Sequence, residues 1–259
     1  MASAQRTATI VEALTSGGGH ALAAPSRLPG WTRLTITCHL RYGAEALLRM
    51  TSAGISGVRA AYYPEGRASQ RPRTLEPSLG EDPLDVVESL RGRSRELEHL
   101  WDNLDDRSWG REVVEPDDNP DLGTVPIAGL PLLKLTEVEV HGTDLGLGLD
   151  DWSDLFVSTA LPIRLRQLNT RRTNHREFDH SLQGIWLLVA TDGPTYSVSV
   201  SGDDVASRPA DPTTRATAVI EATSRDLLAL LLGRPFAGAP HIRGDLEFAR
   251  AFSAAFPGP

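Results

Sequence analysis

Two residues of this chain have the types and the spacing of metal ligands on a helix. Glu137 and His141 lie four residues apart within 130–145, where apolar residues recur at helical spacing, and side chains four apart on a helix lie one above the other. A distant histidine, His39, can add a second imidazole from another helical segment. Two histidines and one carboxylate suit a divalent metal and leave coordination positions open for water or substrate. The pattern therefore predicts a metalloenzyme with an open site.

The neighbours of this pair have weaker roles, and the pair itself has a simpler interpretation. Asp144 falls about 20° from the carboxylate of the pair, where it would orient a ligand histidine or only lie near the helix end. Glu139 lies about 160° from His141 and is expected to face outward. A charged pair on an exposed helix face, with His39 as a hydrogen-bonded core residue, is the alternative without a metal. Cys38 is expected to be a packed small apolar residue and not a ligand.

Composition and charge exclude several classes of protein. The chain has 259 residues, a net charge of −8 and a sequence pI near 5.4, so non-specific nucleic-acid binding is not expected. Cys38 is the only cysteine, which excludes a disulfide framework and fits a reducing cytoplasm. Residues 1–15 lack a signal-peptide pattern, and the longest apolar run, 227–232, is too short to span a bilayer. The sequence predicts a cytoplasmic monomer or small homo-oligomer without membrane or nucleic-acid partners.

The sequence of the first half of the chain predicts helices joined by polar loops. Apolar residues recur at helical spacing in 7–14, 33–50, 83–104 and 130–145. Thr32 is a candidate N-cap for the second of these helices, and Gly54 is its expected end. Segment 64–82 is expected to be an exposed loop, and 109–123 is acidic and rich in turn residues. Four helices with such loops predict a bundle, in which sites form between facing helices.

The second half of the chain predicts a mixture of strands and helices. The expected strands are 182–190, 195–201 and 214–221, and the expected helices are 152–169, 224–232 and 245–256. Glycines and aspartates cluster at 146–151. The predicted fold class is therefore α+β, with a four-helix bundle over residues 1–148 and a small α+β domain over 149–259.

Three motifs in order resemble those of one known family. The residues LPGWT at 28–32, followed by a helical His39, resemble the first metal-ligand helix of the mycothiol-dependent maleylpyruvate isomerase family. The residues EVEVHGTDL at 137–145 resemble its second motif, usually written E-V-x-x-H-x-x-D-L. The residues DLLALLLGR at 226–234, followed by GD at 244–245, are similar to the end of its second domain.

The resemblance implies a DinB-like metal-binding bundle over residues 1–148 and a C-terminal domain over 149–259 that completes the active-site cleft. It also implies a ligand set and a cosubstrate. A zinc or similar divalent ion would be held by His39, Glu137 and His141, and mycothiol would be the thiol cosubstrate. A C-terminal arginine would act in the active-site cleft, best matched by Arg234 as the catalytic residue, with Arg243 in reserve. An alternative for Arg234 is a surface arginine after a helix cap.

A mechanism follows for a thiol in such a site. A metal lowers the pKa of a bound thiol, and the thiolate attacks an electrophilic carbon. Arg234 would clamp a carboxylate or phosphate of the substrate bidentately. Asp144 and Arg243 are the predicted cofactor-binding residues. No protein thiol is needed, which agrees with the single cysteine.

The preferred function is a mycothiol-dependent S-transferase or isomerase. Segment 33–48 is less acidic and alanine-rich than the family's histidine helix, and the 64–82 loop looks specific to this chain. Both departures favour thiol transfer to a small-molecule electrophile in specialised metabolism, with a thiosugar intermediate of lincosamide antibiotic assembly as one case. The alternatives are maleylpyruvate isomerase proper, a metal-dependent hydrolase that activates water, and a small-molecule sensor.

Overall fold

The chain forms two compact units in the computed structural model, Met1–Ser153 and Asp154–Pro259. The structure describes residues 2–168, 181–256 and 258. The predicted domain boundary at 148/149 lies a few residues before this division, and the predicted helix end at 169 falls outside the described residues. Among the described residues, no helix is both long and apolar enough to cross a membrane.

The first unit is a bundle of four long helices. They are α1 (Ala2–Ser16), α3 (Arg33–Ser56), α5 (Pro83–Asp102) and α7 (Leu130–Asp144). Helices α1 and α3 each pack against both α5 and α7. The shorter elements of this unit are α2 (Gly18–Leu22), α4 (Arg67–Thr74), α6 (Asp106–Trp109), β1 (Glu112–Val114), β2 (Thr124–Pro126) and a 3₁₀ turn (Ile127–Gly129).

Helix α3, which carries His39, is fixed at both ends by local chemistry. The Thr32 hydroxyl accepts a hydrogen bond from the backbone N–H of Thr35 at 3.1 Å, which confirms the predicted N-cap. The helix continues past Gly54 and ends at Gly57, whose left-handed φ of 69° suits a glycine cap. A Cβ at Gly54 would meet the carbonyl oxygen of Glu112 at 3.2 Å, so this glycine allows β1 to approach and does not end the helix.

One apolar cluster of the bundle core lies where α3, α5 and α7 meet the hairpin of β1 and β2. Its buried side chains are Leu47, Met50, Leu97, Trp101, Val113, Ile127 and Leu130. The indole N–H of Trp101 donates to the Thr51 hydroxyl at 3.2 Å, so the largest buried ring leaves no unpaired donor. This core holds α3 and α7 side by side, and these are the helices that carry the candidate ligands.

Two segments expected to be irregular contain regular structure. Segment 64–82 was expected to be a loop, which is wrong for Arg67–Thr74, because these residues form α4. No residue of α4 is buried, so it has no apolar stripe for sequence periodicity to detect. Residues 109–123 contain β1, which pairs with β2 in an antiparallel hairpin. Strands of three residues are too short to show alternation.

The second unit contains a five-stranded sheet with helices, so the predicted α+β class is confirmed. The strand order is β5-β4-β3-β6-β7; β3 and β6 are parallel and the other pairs are antiparallel. The strands are β3 (Gln183–Ala190), β4 (Thr195–Ser201), β5 (Asp204–Pro209), β6 (Ala218–Ala222) and β7 (His241–Gly244). The helices are α8 (Asp154–Arg166), α9 (Ser224–Leu231) and α10 (Leu246–Ala255).

An aromatic cluster joins the sheet to the last helix of this unit. Trp186 on β3 is fully buried, stacks on Phe248 of α10 at 4.2 Å and donates its indole N–H to the Phe248 carbonyl at 2.7 Å. Phe252 meets the same indole edge-on at 5.3 Å. The predicted strands over 182–190 and 195–201 are confirmed to within a residue, whereas β5 and β7 were missed.

Candidate metal centre

Helices α3 and α7 bring the three candidate ligands to one point. The Nε2 atom of His39 lies 2.9 Å from Oε2 of Glu137, and Nε2 of His141 lies 3.5 Å from the same oxygen. One ligand atom from each residue lies within 4.8 Å of the others. Two imidazole nitrogens and a carboxylate oxygen at this spacing fit a single divalent ion with open positions.

A fourth side chain sets the direction of the His141 ring. Its Nδ1 donates to Oδ2 of Asp144 at 2.9 Å, one turn further along α7. The Asp144 side chain is only 5% exposed. Because the aspartate holds the proton on Nδ1, the lone pair of Nε2 is free to face the other two ligands.

The Glu137 carboxylate stays ionised although it is desolvated. Burial alone would raise its pKa, but the hydrogen bond from His39, together with the nearby charges of His39, His141 and Lys134, lowers the pKa to about 2. A carboxylate that is charged at neutral pH can coordinate a cation through an oxygen lone pair.

Trp31 forms an aromatic wall beside both histidines. Its ring meets His39 edge-on at 5.7 Å and stacks on His141 at 6.3 Å with an angle of 12° between the planes. Its place in the turn before α3 was the only sequence signal, and it did not indicate this role. The wall limits the rotation of two ligand rings.

A cavity of about 180 Å³ opens beside the candidate ligands, and the described residues that line it belong to the first unit. His39 and Glu137 form part of it, next to apolar side chains that include Leu40, Leu47 and Leu133. Such a cavity has room for a small substrate and is mainly apolar, as ligand sites commonly are.

Cationic side chains also line this cavity. They are Arg67 and Arg71 from α4 and Lys134 from α7. Lys134 is almost fully buried and donates to the Ser94 hydroxyl at 3.3 Å. Burial lowers its pKa to about 8. None of the three was identified from the sequence as a site residue.

Glu139 is buried, so the expectation that it faces outward is wrong. Its side chain is 2% exposed, and Oε2 lies 3.3 Å from Nε of Arg6 on α1. Its other oxygen accepts a hydrogen bond from the Ser153 hydroxyl. Helix α7 is covered by α1 as well as α3, and a helical wheel that assumes one buried face cannot show a second one.

The two C-terminal arginines lie in the second unit and have local partners there. Arg234 follows α9 and donates from Nη1 to the carbonyl of Leu232 at 3.1 Å. Arg243 lies on the exposed strand β7, with Nη2 at 3.3 Å from Oε2 of Glu221. Their assignments, catalytic for Arg234 and cofactor-binding for Arg243, remain predictions.

The single cysteine packs as expected. Cys38 is fully buried on α3, and burial raises the pKa of its thiol to about 11. A protonated, inaccessible thiol is a poor nucleophile. Cys38, the residue before His39, therefore belongs to the packed core of the unit.

Comparison with known proteins relates the chain to one kind of enzyme. The family model of the mycothiol maleylpyruvate isomerase N-terminal domain matches residues 1–146. Two solved structures, a mycothiol-dependent maleylpyruvate isomerase and a histidine-to-alanine variant of it, resemble the chain in fold. Each gives a TM-score of 0.68 at 18% identity and covers 95% of this chain and 92% of its own. No protein of curated function matches the sequence significantly.

Proposed function

The chain belongs to the mycothiol maleylpyruvate isomerase family, and from that premise we propose that it is a mycothiol-dependent metalloenzyme acting on a small electrophile. The observation that carries the proposal is the convergence of His39, Glu137 and His141, with Asp144 directing one ring. The resemblance of the fold over 95% of the chain supports it.

The donor set fits a divalent ion, and we assign it to zinc. His39, Glu137 and His141 would hold the ion, and their number leaves a position open. An ion bound there would lower the pKa of a coordinated thiol. Nitrogen and carboxylate ligands in a three-residue set are typical of zinc sites that keep an open position.

The chain's own residues would fix the geometry of the reaction. Asp144 holds the His141 tautomer, and Trp31 limits the rotation of both imidazoles. The apolar side chains of the cavity, which include Leu40, Leu47 and Leu133, lower the local dielectric constant and so strengthen charge interactions there. Cys38 takes no part, so the sulfur nucleophile must come from the thiol cosubstrate.

Two reactions use the same first step. The cosubstrate sulfur forms a C–S bond with the electrophile. In an S-transferase a leaving group then departs from the electrophile with the bonding electrons. In an isomerase the thiol first loses its proton, and the C=C π bond breaks as the C–S bond forms, so that its electron pair moves onto the conjugated carbonyl group. After rotation about the resulting single bond the pair returns and re-forms the double bond, the C–S bond breaks with its electrons on sulfur, and the thiolate regains its proton.

Of the two, we propose S-transfer in specialised metabolism, with a thiosugar intermediate of the lincosamide type as one candidate. The departures of segments 33–48 and 64–82 from the family pattern support this choice. Maleylpyruvate isomerase proper is the second candidate, favoured by the fold resemblance. The proposed location is the cytoplasm, which suits a protein with one reduced, buried cysteine.

Metal analysis and thiol consumption test the proposal. The purified protein should hold about one zinc per chain, and His141→Ala should remove most of it, whereas His99→Ala, at an exposed histidine of α5, should not. Turnover of an electrophile should require added mycothiol. Equal metal content in both variants would exclude the site, and turnover without any thiol would indicate hydrolysis.

A further inference from the structure

We propose that Arg71 binds a carboxylate of the electrophilic cosubstrate in the cavity beside the metal centre, and so is a specificity-determining residue. This inference rests on the proposed function for the reaction, and it adds a binding role for one residue of the first unit. The residue lies on α4, far in the sequence from the C-terminal arginines predicted for anion binding.

Arg71 is held close to the candidate ligands. Its guanidinium carbon lies 5.7 Å from the centre of the Trp31 ring. The same ring packs against His39 and His141. A guanidinium over an indole face is attracted by the ring quadrupole. One aromatic ring therefore separates a positioned positive charge from two ligand imidazoles.

Arg71 differs from the other cations of the cavity in its partners. Arg67, one turn earlier on α4, forms an ion pair with Asp121 at 3.1 Å. Lys134 donates to the Ser94 hydroxyl. Arg71 forms no ion pair with any residue in the part of the chain that the structure describes, although it lines the same cavity. It is the cation whose countercharge a ligand can supply.

The chemistry of the cavity favours a carboxylate as that countercharge. Leucine and tyrosine side chains form much of the wall, including Leu40, Leu47, Tyr62 and Leu133. Charge pairing is stronger beside such walls than in open water. The planar fork of a guanidinium matches the two oxygens of a carboxylate through parallel hydrogen bonds. The single positive charge of a guanidinium without an ion-pair partner is balanced by one monoanionic group.

The carboxylate belongs to the electrophile and not to the thiol. Mycothiol is an N-acetylcysteinyl amide of an aminosugar joined to inositol, so it carries no carboxylate. Its thiol is the group that the metal centre would take. An anion bound at Arg71 would thus leave the thiol and the electrophile on adjacent parts of one cavity.

Equilibrium binding of maleate to the full-length protein, with its metal content measured in each sample, tests the inference. Arg71→Gln should weaken maleate binding by at least about tenfold, and Arg71→Lys by less, because it keeps the charge but loses the fork. Arg73→Gln is the matched control: Arg73 lies on the same helix, outside this cavity, in an exposed ion pair with Glu65. It should change maleate affinity by less than about twofold.

Two further probes decide the class of ligand. Maleamide, the neutral diamide, should bind equally to the wild type and to Arg71→Gln. Maleate affinity that is the same in Arg71→Gln and Arg73→Gln would overturn the inference, as would inorganic phosphate binding as tightly as maleate through Arg71. A wild-type protein that holds no zinc, or turnover that needs no thiol, would instead contradict the proposed function. A failure of the proposed function can therefore be told apart from a failure of the inference about Arg71.

Discussion

Asp144 accepts a hydrogen bond from Nδ1 of His141 at 2.9 Å, one helical turn from the ring that it orients. The Nε2 atom of that ring is left 3.5 Å from the Glu137 carboxylate, toward His39. A spacing of E-x-x-x-H-x-x-D thus places a carboxylate, an imidazole and the acceptor of its second nitrogen on one face of α7. The same eight-residue stretch provides both a candidate ligand pair and the acceptor that supports its histidine.

We expect Asp144→Asn to weaken metal binding without removing the site. An asparagine in place of the buried carboxylate loses the charge that supports the imidazole and can face it with a donor. Zinc affinity, measured by competition with a chromophoric chelator, should fall about 10- to 100-fold. Asp150→Asn is the control, because Asp150 is 54% exposed and pairs with Arg27. Equal zinc affinity in the two variants would show that Asp144 has only a structural role.

Cys38→Ala should keep metal content and thiol-dependent turnover. The wild-type thiol is buried with a pKa of about 11, so the fraction of reactive thiolate at pH 8 is very small. Ellman's reagent should label the native protein slowly and the urea-unfolded protein at once. Rapid labelling of the folded protein, or a loss of turnover in a folded Cys38→Ala variant, would contradict the assignment of Cys38 to the core.

The parts of the fold that the sequence predicted are those with strong local patterns. The apolar stripe of 33–50 and the Thr32 cap predicted the helix of His39, because both signals lie within a few residues of one another. The spacing of Glu137 and His141 predicted a shared face, and the structure places His39 against it.

The parts that were missed depend on contacts between distant residues. Helix α4 has no buried residue and is held through Arg67 to Asp121 and Arg71 to Trp31. Glu139 is buried because α1 supplies Arg6, a residue more than a hundred positions away. None of these contacts produces a periodic pattern in its own segment of the sequence. The cationic side chains that line the cavity were therefore not identified.

Arg234→Ala tests the role predicted for the C-terminal arginine. If Arg234 contacts the substrate, the variant should keep its metal and lose turnover by at least about tenfold, equivalent to about 1.4 kcal/mol. Arg243→Ala is the comparison, since its guanidinium already pairs with Glu221 on an exposed strand. Steady-state kinetics would measure both. Unchanged kinetics in both variants would mean that neither C-terminal arginine binds the substrate, and that residues of the first unit bind its anionic group.

Glu115→Gln should destabilise the first unit and disturb the cavity. The Glu115 side chain is buried, and its two oxygens accept hydrogen bonds from the backbone N–H groups of Tyr62, Asp121, Leu122 and Gly123. Tyr62 and Leu122 both line the cavity, so one carboxylate joins two of its walls.

An amide of the same shape would lose charge-assisted bonds and turn a donor toward backbone donors. We expect a loss of at least about 2 kcal/mol in the free energy of unfolding. Glu112→Gln, at an exposed position of β1 three residues before Glu115, should cost less than about 0.5 kcal/mol. Urea unfolding measures both, and equal midpoints would contradict this role.

The last prediction concerns the pH dependence of stability that the buried Lys134 imposes. Its pKa is about 8 in the folded protein against an ordinary value of 10.5, chiefly because burial disfavours the ammonium. Below pH 8 both states hold the proton, and the cost of burying the charge is fully present. Between pH 8 and 10.5 the unfolded chain binds more protons than the folded one, so the free energy of unfolding rises with pH by up to about 1.4 kcal/mol per unit from this group.

Lys134→Met should remove that rise. Chemical unfolding of the wild type and the variant, measured from pH 7 to 10.5 with the metal removed, should give a stability difference that shifts toward the wild type as the pH increases. Leu133→Met, the adjacent substitution on α7, should follow the wild-type profile in parallel. A difference between the wild type and Lys134→Met that stays constant with pH would mean that Lys134 titrates near its ordinary pKa, and that water or a bound anion reaches its ammonium group.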